Sequence, residues 1–443
     1  MSLTSGSFFA YDNMDIKALY DLFLTCTGVS TDSRKIKKDE MFFALHGENF
    51  DGNIYAKQAL EAGAKYAVVD DPSVVTDNCI LVDNCQKQLQ ELATFHRKKT
   101  CPIVIAITGT NGKTTTKELL TAVLSTKYKV HATKGNLNNQ LGVPLTILSA
   151  PSDTEILIVE MGASHKGDID ELCKIAYPDF GIITNIGVAH IQGFGSFEGV
   201  VETKTELYRF IADSGIMVFY DDNDHELVRQ VYSSKVKNCK LSSVRNKSLQ
   251  LFPVYGKATL GLMVEYGGVK QEIQTNLFGA HNLANAKAAI AIGLWFYVDI
   301  NDALKAISGY VPSNNRSQVL QTKHNRLICD AYNANPSSMR KAIDAFSSLD
   351  AENKICVLVD MRELGPVSEQ EHKAILQYLE DHNLKNNIFI GPEFKKVVNP
   401  QKAKVYSNTS YAIRSLKKYP IKNATLLLKG SRGIGLEKLY DYL

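Results

Sequence analysis

The sequence lacks a surplus of charge of either sign. Lys and Arg number 50 against 47 Asp and Glu, a formal net charge of +3 over 443 residues. So small a bias is too little to argue for a nucleic-acid partner, and none is expected. Also missing is any apolar run approaching the roughly 20 residues that span a bilayer, so no integral membrane segment is expected. The opening MSLTSGSFFAYDNMD has no basic stretch leading into an apolar one, and no secretory signal is expected. No CxxC pair occurs among the 8 scattered cysteines. That argues against zinc and for reduced thiols in a cytoplasmic protein. Internal repeats and low-complexity segments are absent too. What remains, 44% hydrophobic and 22% charged, is the composition of a soluble globular chain too long for one core.

The pattern along the chain is α/β throughout, in three units. The first has expected strands at 41–45 and 66–69 and a helix over 55–62, and its charged end, 96–102, reads as a linker. From 103 the texture is βαβ. Continuous apolar runs at 103–107, 156–159, 181–186 and 216–220 suit strands buried on both faces of a parallel sheet. Alternation around Gly267-Gly268 predicts an antiparallel insertion between 248 and 279, followed by an Ala-rich helix over 281–297. A third unit begins near Pro312, with strands expected at 327–330, 355–360, 387–390 and 425–429. The boundaries expected are 1–100, 101–311 and 312–443.

Between the apolar run 103–107 and a helix marked by Leu119, Leu120, Val123 and Leu124 lies GTNGKTTT (109–116). Strand, glycine turn, Lys-Thr and helix is the order that wraps backbone N–H groups around a polyphosphate. A lysine then reaches the terminal phosphates and a hydroxyl reaches Mg²⁺. The usual longer spacing would need glycine at 107, where Ile107 stands, so this loop is shorter: Gly109, Thr110, Asn111, Gly112, Lys113, Thr114. Other residues read two ways by type alone. Glu160 ends an apolar strand, where open α/β sheets bind ligands or where a carboxylate merely caps. His190 reads as structural or surface, Lys204 in ETKTELY as a solvated helix lysine, and Asn282 as an N-cap.

The loop resembles that of the Mur ligase superfamily, and seven further stretches resemble it in order, end to end. They are STDSRKIKKDEMFFALHGENFDGN (30–53), GNLNNQLGVPLTIL (135–148), EMGASHKGDI (160–169), TNIGVAHIQGFGSFEGVVETKTELY (184–208), FGAHNLANAKAAIAI (278–292), DAYNANPSSM (330–339) and LLLKGSRGIGLEKL (426–439). DAYNANP, HIQGFGS and VDMRELG (359–365) resemble the MurF branch in particular. Val359, Arg362 and the DGN at 51–53 depart from its pattern.

The resemblance implies a central P-loop-type domain with a mostly parallel sheet. A small N-terminal α/β domain for the UDP substrate and a C-terminal Rossmann-like domain would flank it. It implies ATP-dependent, ADP-forming amide ligation of UDP-N-acetylmuramoyl-tripeptide to D-alanyl-D-alanine through an acyl phosphate, by a monomer. The alternatives are a sibling adding one amino acid, MurE-like, or a folylpolyglutamate synthetase-like ligase, which shares the loop but lacks TDSR…FFALHG. Among residues, it implies Lys113 and Thr115 on the phosphates, and Thr114, Glu160, His190 and Lys204 around Mg²⁺, with Lys204 carrying a carbamate. Lys113, His190 and Lys204 would be the catalytic set. Asn282 and Asn285 would lie near adenine, with Arg316 and Asp330 reaching phosphate and ribose and Lys429 and Arg432 adding charge. Asp32, Ser33 and Arg34 would hold the UDP, Asn138 and Asn139 would face the nucleotide sugar, and Asn333 and Asn335 would meet the dipeptide.

Overall fold

Isoleucine and valine dominate the runs at 103–107 and 156–159, and both become inner strands of a parallel sheet. The structure, a computed structural model, describes residues 14–443 apart from 48–49, 101, 188–190, 234–239, 245–247, 255–258 and 314. The sheet runs Lys240–Ser243, Met217–Tyr220, Phe180–Ile183, Ile103–Thr108, Ile156–Glu160, Val130–Ala132, every neighbouring pair parallel. Val104, Ala106, Leu157 and Val159 enter one core; Ile105, Ile107, Ile156 and Ile158 enter another on the opposite face. Burial on both faces is why these runs show no alternation. The helix Lys113–Leu124 closes the second core with Leu119, Leu120, Val123 and Leu124, together with the Ala-rich helix Leu283–Trp295.

One strand stops short of expectation. The run at 181–186 gives Phe180–Ile183 only. Thr184 Oγ1 and Asn185 Nδ2 turn instead to donate to the Asn111 carbonyl, at 2.6 and 2.9 Å.

The first unit is a four-stranded parallel sheet, Val29–Ser30, Met41–Phe43, Tyr66–Val69, Cys79–Leu81. The expected linker at 96–102 is a correction: helix Cys85–Thr100 runs through it. Leu89, Leu92, Ala93 and His96 recur at helical spacing on a buried stripe. The charge that suggested solvent is satisfied inside. Arg97 donates to the carbonyls of Ala176 and Tyr177 at 3.2 and 3.1 Å and to Asp179 Oδ2 at 2.8 Å. This helix therefore joins the first unit to the middle one. Arg97→Ala is expected to cost about 2 kcal/mol, the scale for losing hydrogen bonds made by a charged group to partly buried acceptors, read as a lower thermal midpoint.

An antiparallel sheet of Leu249–Val254, Gly261–Tyr266 and Val269–Gln274 fills the expected insertion. The third unit orders Gln318–Gln321, Arg326–Asp330, Thr425–Lys429, Lys354–Val359, Asn387–Ile390, Lys404–Tyr406, parallel except for the first, antiparallel edge. Glu160 ends a strand of the middle sheet, and Asp330 and Lys429 end strands of the third unit's. All three line one cleft between those units. Among the described residues no helix is long and apolar enough to cross a membrane.

Candidate active site

Residues 109–112 carry the chain from strand to helix in a turn only glycine permits at two points. Gly109 has φ +137°, and a Cβ there would lie 2.1 Å from Thr184 Oγ1. Gly112 has φ +79°, and a Cβ there would lie 2.5 Å from Asn285 Oδ1. The turn is braced from the next strand end, because Thr110 N–H donates to the Asn185 carbonyl at 3.0 Å and Asn111 N–H to Asn185 Oδ1 at 3.1 Å. The first helical bond is Thr116 N–H to the Gly112 carbonyl, at 2.8 Å. The N–H groups at 113–115 therefore have no helical partner, and these residues line the cavity.

Lys113 folds back onto its own loop, donating to the Gly109 and Thr110 carbonyls at 2.7 and 3.3 Å. Burial pushes its pKa down, opposed by Glu160 and reinforced by Arg316. A cation held by two neutral carbonyls in low dielectric is a receptor for an anion. Glu160 is 1% exposed, and its oxygens accept from Thr114 Oγ1 and Asn138 Nδ2, both at 2.8 Å.

From the third unit, Arg316 lies 3.6 Å over the Tyr332 ring. Burial alone would raise the Asp330 carboxyl, but Lys429 at 2.8 Å, with His281 and Ser317 N–H, holds it below the usual carboxylate range. Lys429 also donates to the Asn333 carbonyl at 2.8 Å. Asn335 caps helix Pro336–Ser347 through Ser338 N–H, and its Nδ2 crosses to Asn111 Oδ1 at 2.9 Å. That bond ties the third unit to the glycine turn. Asn285 accepts from Thr116 Oγ1 at 3.2 Å and donates to Asn282 Oδ1 at 2.9 Å; Asn282 donates onward to the Phe278 carbonyl at 2.8 Å.

One cavity of about 430 Å³ thus gathers 110–115, Asn138, Asn139, Glu160, Asn282, Asn285, Arg316, Asp330, Asn333 and Asn335. Gly109 forms the turn beside Thr184, off the cavity wall. The Asn139 side chain is already engaged, accepting from Gly142 N–H at 2.9 Å to start a helix. Lys204 is 3% exposed and does not line the cavity; its ammonium sits 5.5 Å from the Phe194 ring. Burial, then the charge of Lys113, brings its pKa down to about 7. Asp32, Ser33 and Arg34 stand apart from the cavity, where Arg34 donates to Asp32 at 2.8 Å on the exposed face of the first unit. His190 and the Arg432 side chain lie outside what is described.

Among the residues missed from sequence are Thr184, Asn185 and His281. TNIG directly after an apolar strand was the available signal for the first two. His281 lines the cavity with its Nδ1 unpartnered among the described residues. Its burial, against Asp330 and alongside Lys429 and Lys341, holds its pKa at about 4, so the ring is neutral at pH 7.

Whether the cavity suits a divalent cation can be tested on its donors. Thr114 and Glu160 offer oxygen only, which fits Mg²⁺ better than a softer ion. Among the described residues no three His, Cys, Asp or Glu side chains form a closed metal cage. An ion with few protein ligands, completed by phosphate oxygens and water, is the usual Mg²⁺ arrangement.

Family comparison agrees from end to end. The chain matches the models "Mur ligase family, catalytic domain" over residues 25–103, "Mur ligase middle domain" over 107–293 and "Mur ligase, glutamate ligase domain" over 315–432. It is 37% identical to the UDP-N-acetylmuramoyl-tripeptide–D-alanyl-D-alanine ligase of Bacillus subtilis (strain 168), across 93% of this chain and 92% of the relative. A crystal structure of MurF from Acinetobacter baumannii superposes with a TM-score of 0.83 at 29% identity, covering 93% of this chain and 92% of that one. The MurF ligase of Thermotoga maritima, solved in complex with ADP, gives 0.82 at 27% identity, covering 95% of this chain and 97% of that one.

Proposed function

The chain belongs to the Mur ligase family, in its MurF branch, and on that premise we propose that this cavity joins D-alanyl-D-alanine to UDP-N-acetylmuramoyl-tripeptide at the expense of ATP. The observation that carries the proposal is the meeting, in one cavity, of the lysine turn, a buried carboxylate and a cation-bearing wall from the third unit.

A carboxylate is a poor acyl donor, so the reaction runs in two displacements. The tripeptide's terminal carboxylate oxygen attacks the γ-phosphorus of ATP, giving an acyl phosphate and ADP. The amine of the dipeptide then attacks the acyl carbon, the C–O bond to phosphate breaks, and the amine's proton departs to a base or water. Bringing two anions together needs concentrated positive charge. Lys113 leaves its loop carbonyls for the β- and γ-phosphates, and the N–H groups of 113–115 donate to the rest of the polyphosphate. Arg316 supplies charge from the opposite wall, Asp330 holds ribose hydroxyls, and Asn282 and Asn285 edge the adenine. Thr114 and Glu160 would hold Mg²⁺, with His190 in the same set, and the bound ion would screen phosphate charge. Lys204 supports the cation side as a carbamate, formed when its neutral amine adds to CO₂ and releases a proton. Asn333 and Asn335 meet the dipeptide, Asn138 and Asn139 the sugar side, and Asp32, Ser33 and Arg34 the UDP. The Asn335–Asn111 bond closes the third unit over the turn, and water exclusion protects the acyl phosphate. The protein works in the cytoplasm, where its nucleotide substrate is.

A substrate panel tests the activity. Phosphate release from ATP is expected only with the UDP-tripeptide and D-alanyl-D-alanine together, with one new amide seen by mass spectrometry. Release with a single free amino acid in place of the dipeptide would move the assignment to a sibling ligase.

A further inference from the structure

One helical turn beyond Lys113, Lys117 is 1% exposed and ranks among the largest fully buried side chains, although it does not line the cavity. A lysine that deep must be satisfied. Its ammonium donates to the Thr133 carbonyl at 2.5 Å and pairs with the Glu118 carboxylate at 2.8 Å. Methionine, of similar length, would fill the same space without the cost of burying an ammonium. Packing alone therefore does not account for the lysine.

Thr133, 1% exposed, is a junction. Its N–H donates to the Ile158 carbonyl at 3.0 Å, and its hydroxyl accepts the backbone N–H of Glu160 at 3.0 Å. Beyond it the chain supplies Asn136, Asn138 and Asn139 to the cavity, and Asn138 reaches Glu160 Oε1. Glu160 is therefore gripped at its backbone through Thr133 and at its two oxygens through Asn138 and Thr114. Thr114 and Lys117 share the helix Lys113–Leu124, whereas Thr133 and Asn138 share the segment facing it. If helix and segment slide apart, the Thr114 hydroxyl and the Glu160 carboxylate no longer converge.

We propose that Lys117 is a positioning residue that locks this helix to Thr133 and so sets the Glu160 carboxylate for the divalent cation, an assignment that rests on Glu160 being a cation ligand. The variants are Lys117→Met and Thr133→Val, with Glu160→Gln as reference. Two readouts do not involve turnover: Mn²⁺ binding in the presence of ADP without acyl substrate, followed by electron paramagnetic resonance, and amide hydrogen exchange of the metal-free proteins. Both variants are expected to bind Mn²⁺ about tenfold more weakly, the lower end of what outer partners of metal ligands contribute. Exchange at the Glu160 amide should also be faster. Wild-type Mn²⁺ affinity in folded Lys117→Met, with Glu160→Gln weakened, would overturn the role of Lys117. Should Lys117→Met not fold, Lys117→Gln, too short to hold the Thr133 carbonyl, takes its place, and unchanged affinity there would do the same. If Glu160→Gln itself leaves Mn²⁺ binding unchanged, the cation role of Glu160 falls instead. Exchange at the Glu160 amide then judges the lock alone, and wild-type protection in Lys117→Met would overturn it.

Discussion

Replacing Lys113 by alanine is expected to slow ligation about 10³-fold, the scale for deleting one preorganised donor to developing charge. The lysine is poised for that role. Burial lowers its pKa, and two backbone carbonyls at 2.7 and 3.3 Å are its partners when no phosphate is present. Exchanging them for phosphate oxygens replaces neutral acceptors with charged ones, a gain that grows as charge builds on the transferring group. Phosphate release with both substrates measures the loss, and a circular dichroism melt checks that the fold survives. Since Lys113 carries none of the apolar core contacts of its helix, the midpoint should move little. A folded Lys113→Ala protein that kept wild-type turnover would remove the turn from the chemistry.

Where the sequence spoke clearly, burial or stereochemistry left one answer. The inner strands Ile103–Thr108 and Ile156–Glu160 were legible because both faces are covered. The glycine turn was legible because its residues are dictated by φ and by the space beside Thr184 and Asn285. Short strands at the sheet edges, such as Val130–Ala132, Gln318–Gln321 and Lys404–Tyr406, were not seen, being three or four residues of mixed exposure. Charge was the least transparent signal. His96, Arg97, Lys98 and Lys99 read as a solvated linker, yet Arg97 is 8% exposed and bonded to carbonyls of another unit. Lys117 was not singled out at all, for the same reason. Sequence shows a cation but not the carbonyl 16 residues away that satisfies it. Asparagines were intermediate: 138, 139, 333 and 335 do reach one cavity, but Asn139 and Asn335 also start helices. One side chain can hold both roles, and only geometry separates them.

Lys204 carries the other large expected effect, because the carbamate proposed for it depends on losing a proton. Its pKa of about 7 arises first from burial and second from the positive charge of Lys113, with Asp168 and Glu206 opposing. The sign follows directly. Above that value the amine is neutral and can add to CO₂; below it the ammonium cannot. The same depression means the unfolded chain holds more protons between about 7 and the ordinary value of 10.5, so this group's penalty on the folded state is full below 7 and fades as pH rises. At fixed dissolved CO₂, a CO₂-depleted enzyme is expected to be weak at about pH 6 and to recover on bicarbonate addition far more fully at about pH 8. Carbon-13 NMR with labelled bicarbonate should show one carbamate signal, absent from Lys204→Met. That variant is expected to lose about 100-fold in activity, the upper end for groups supporting a metal site, and to ignore bicarbonate. Lys113→Ala should shift the carbamate signal's appearance to higher pH, since removing the neighbouring cation lets the Lys204 pKa rise. A wild-type enzyme indifferent to CO₂ across this range, with no labelled signal, would leave Lys204 as a buried amine beside the site and nothing more.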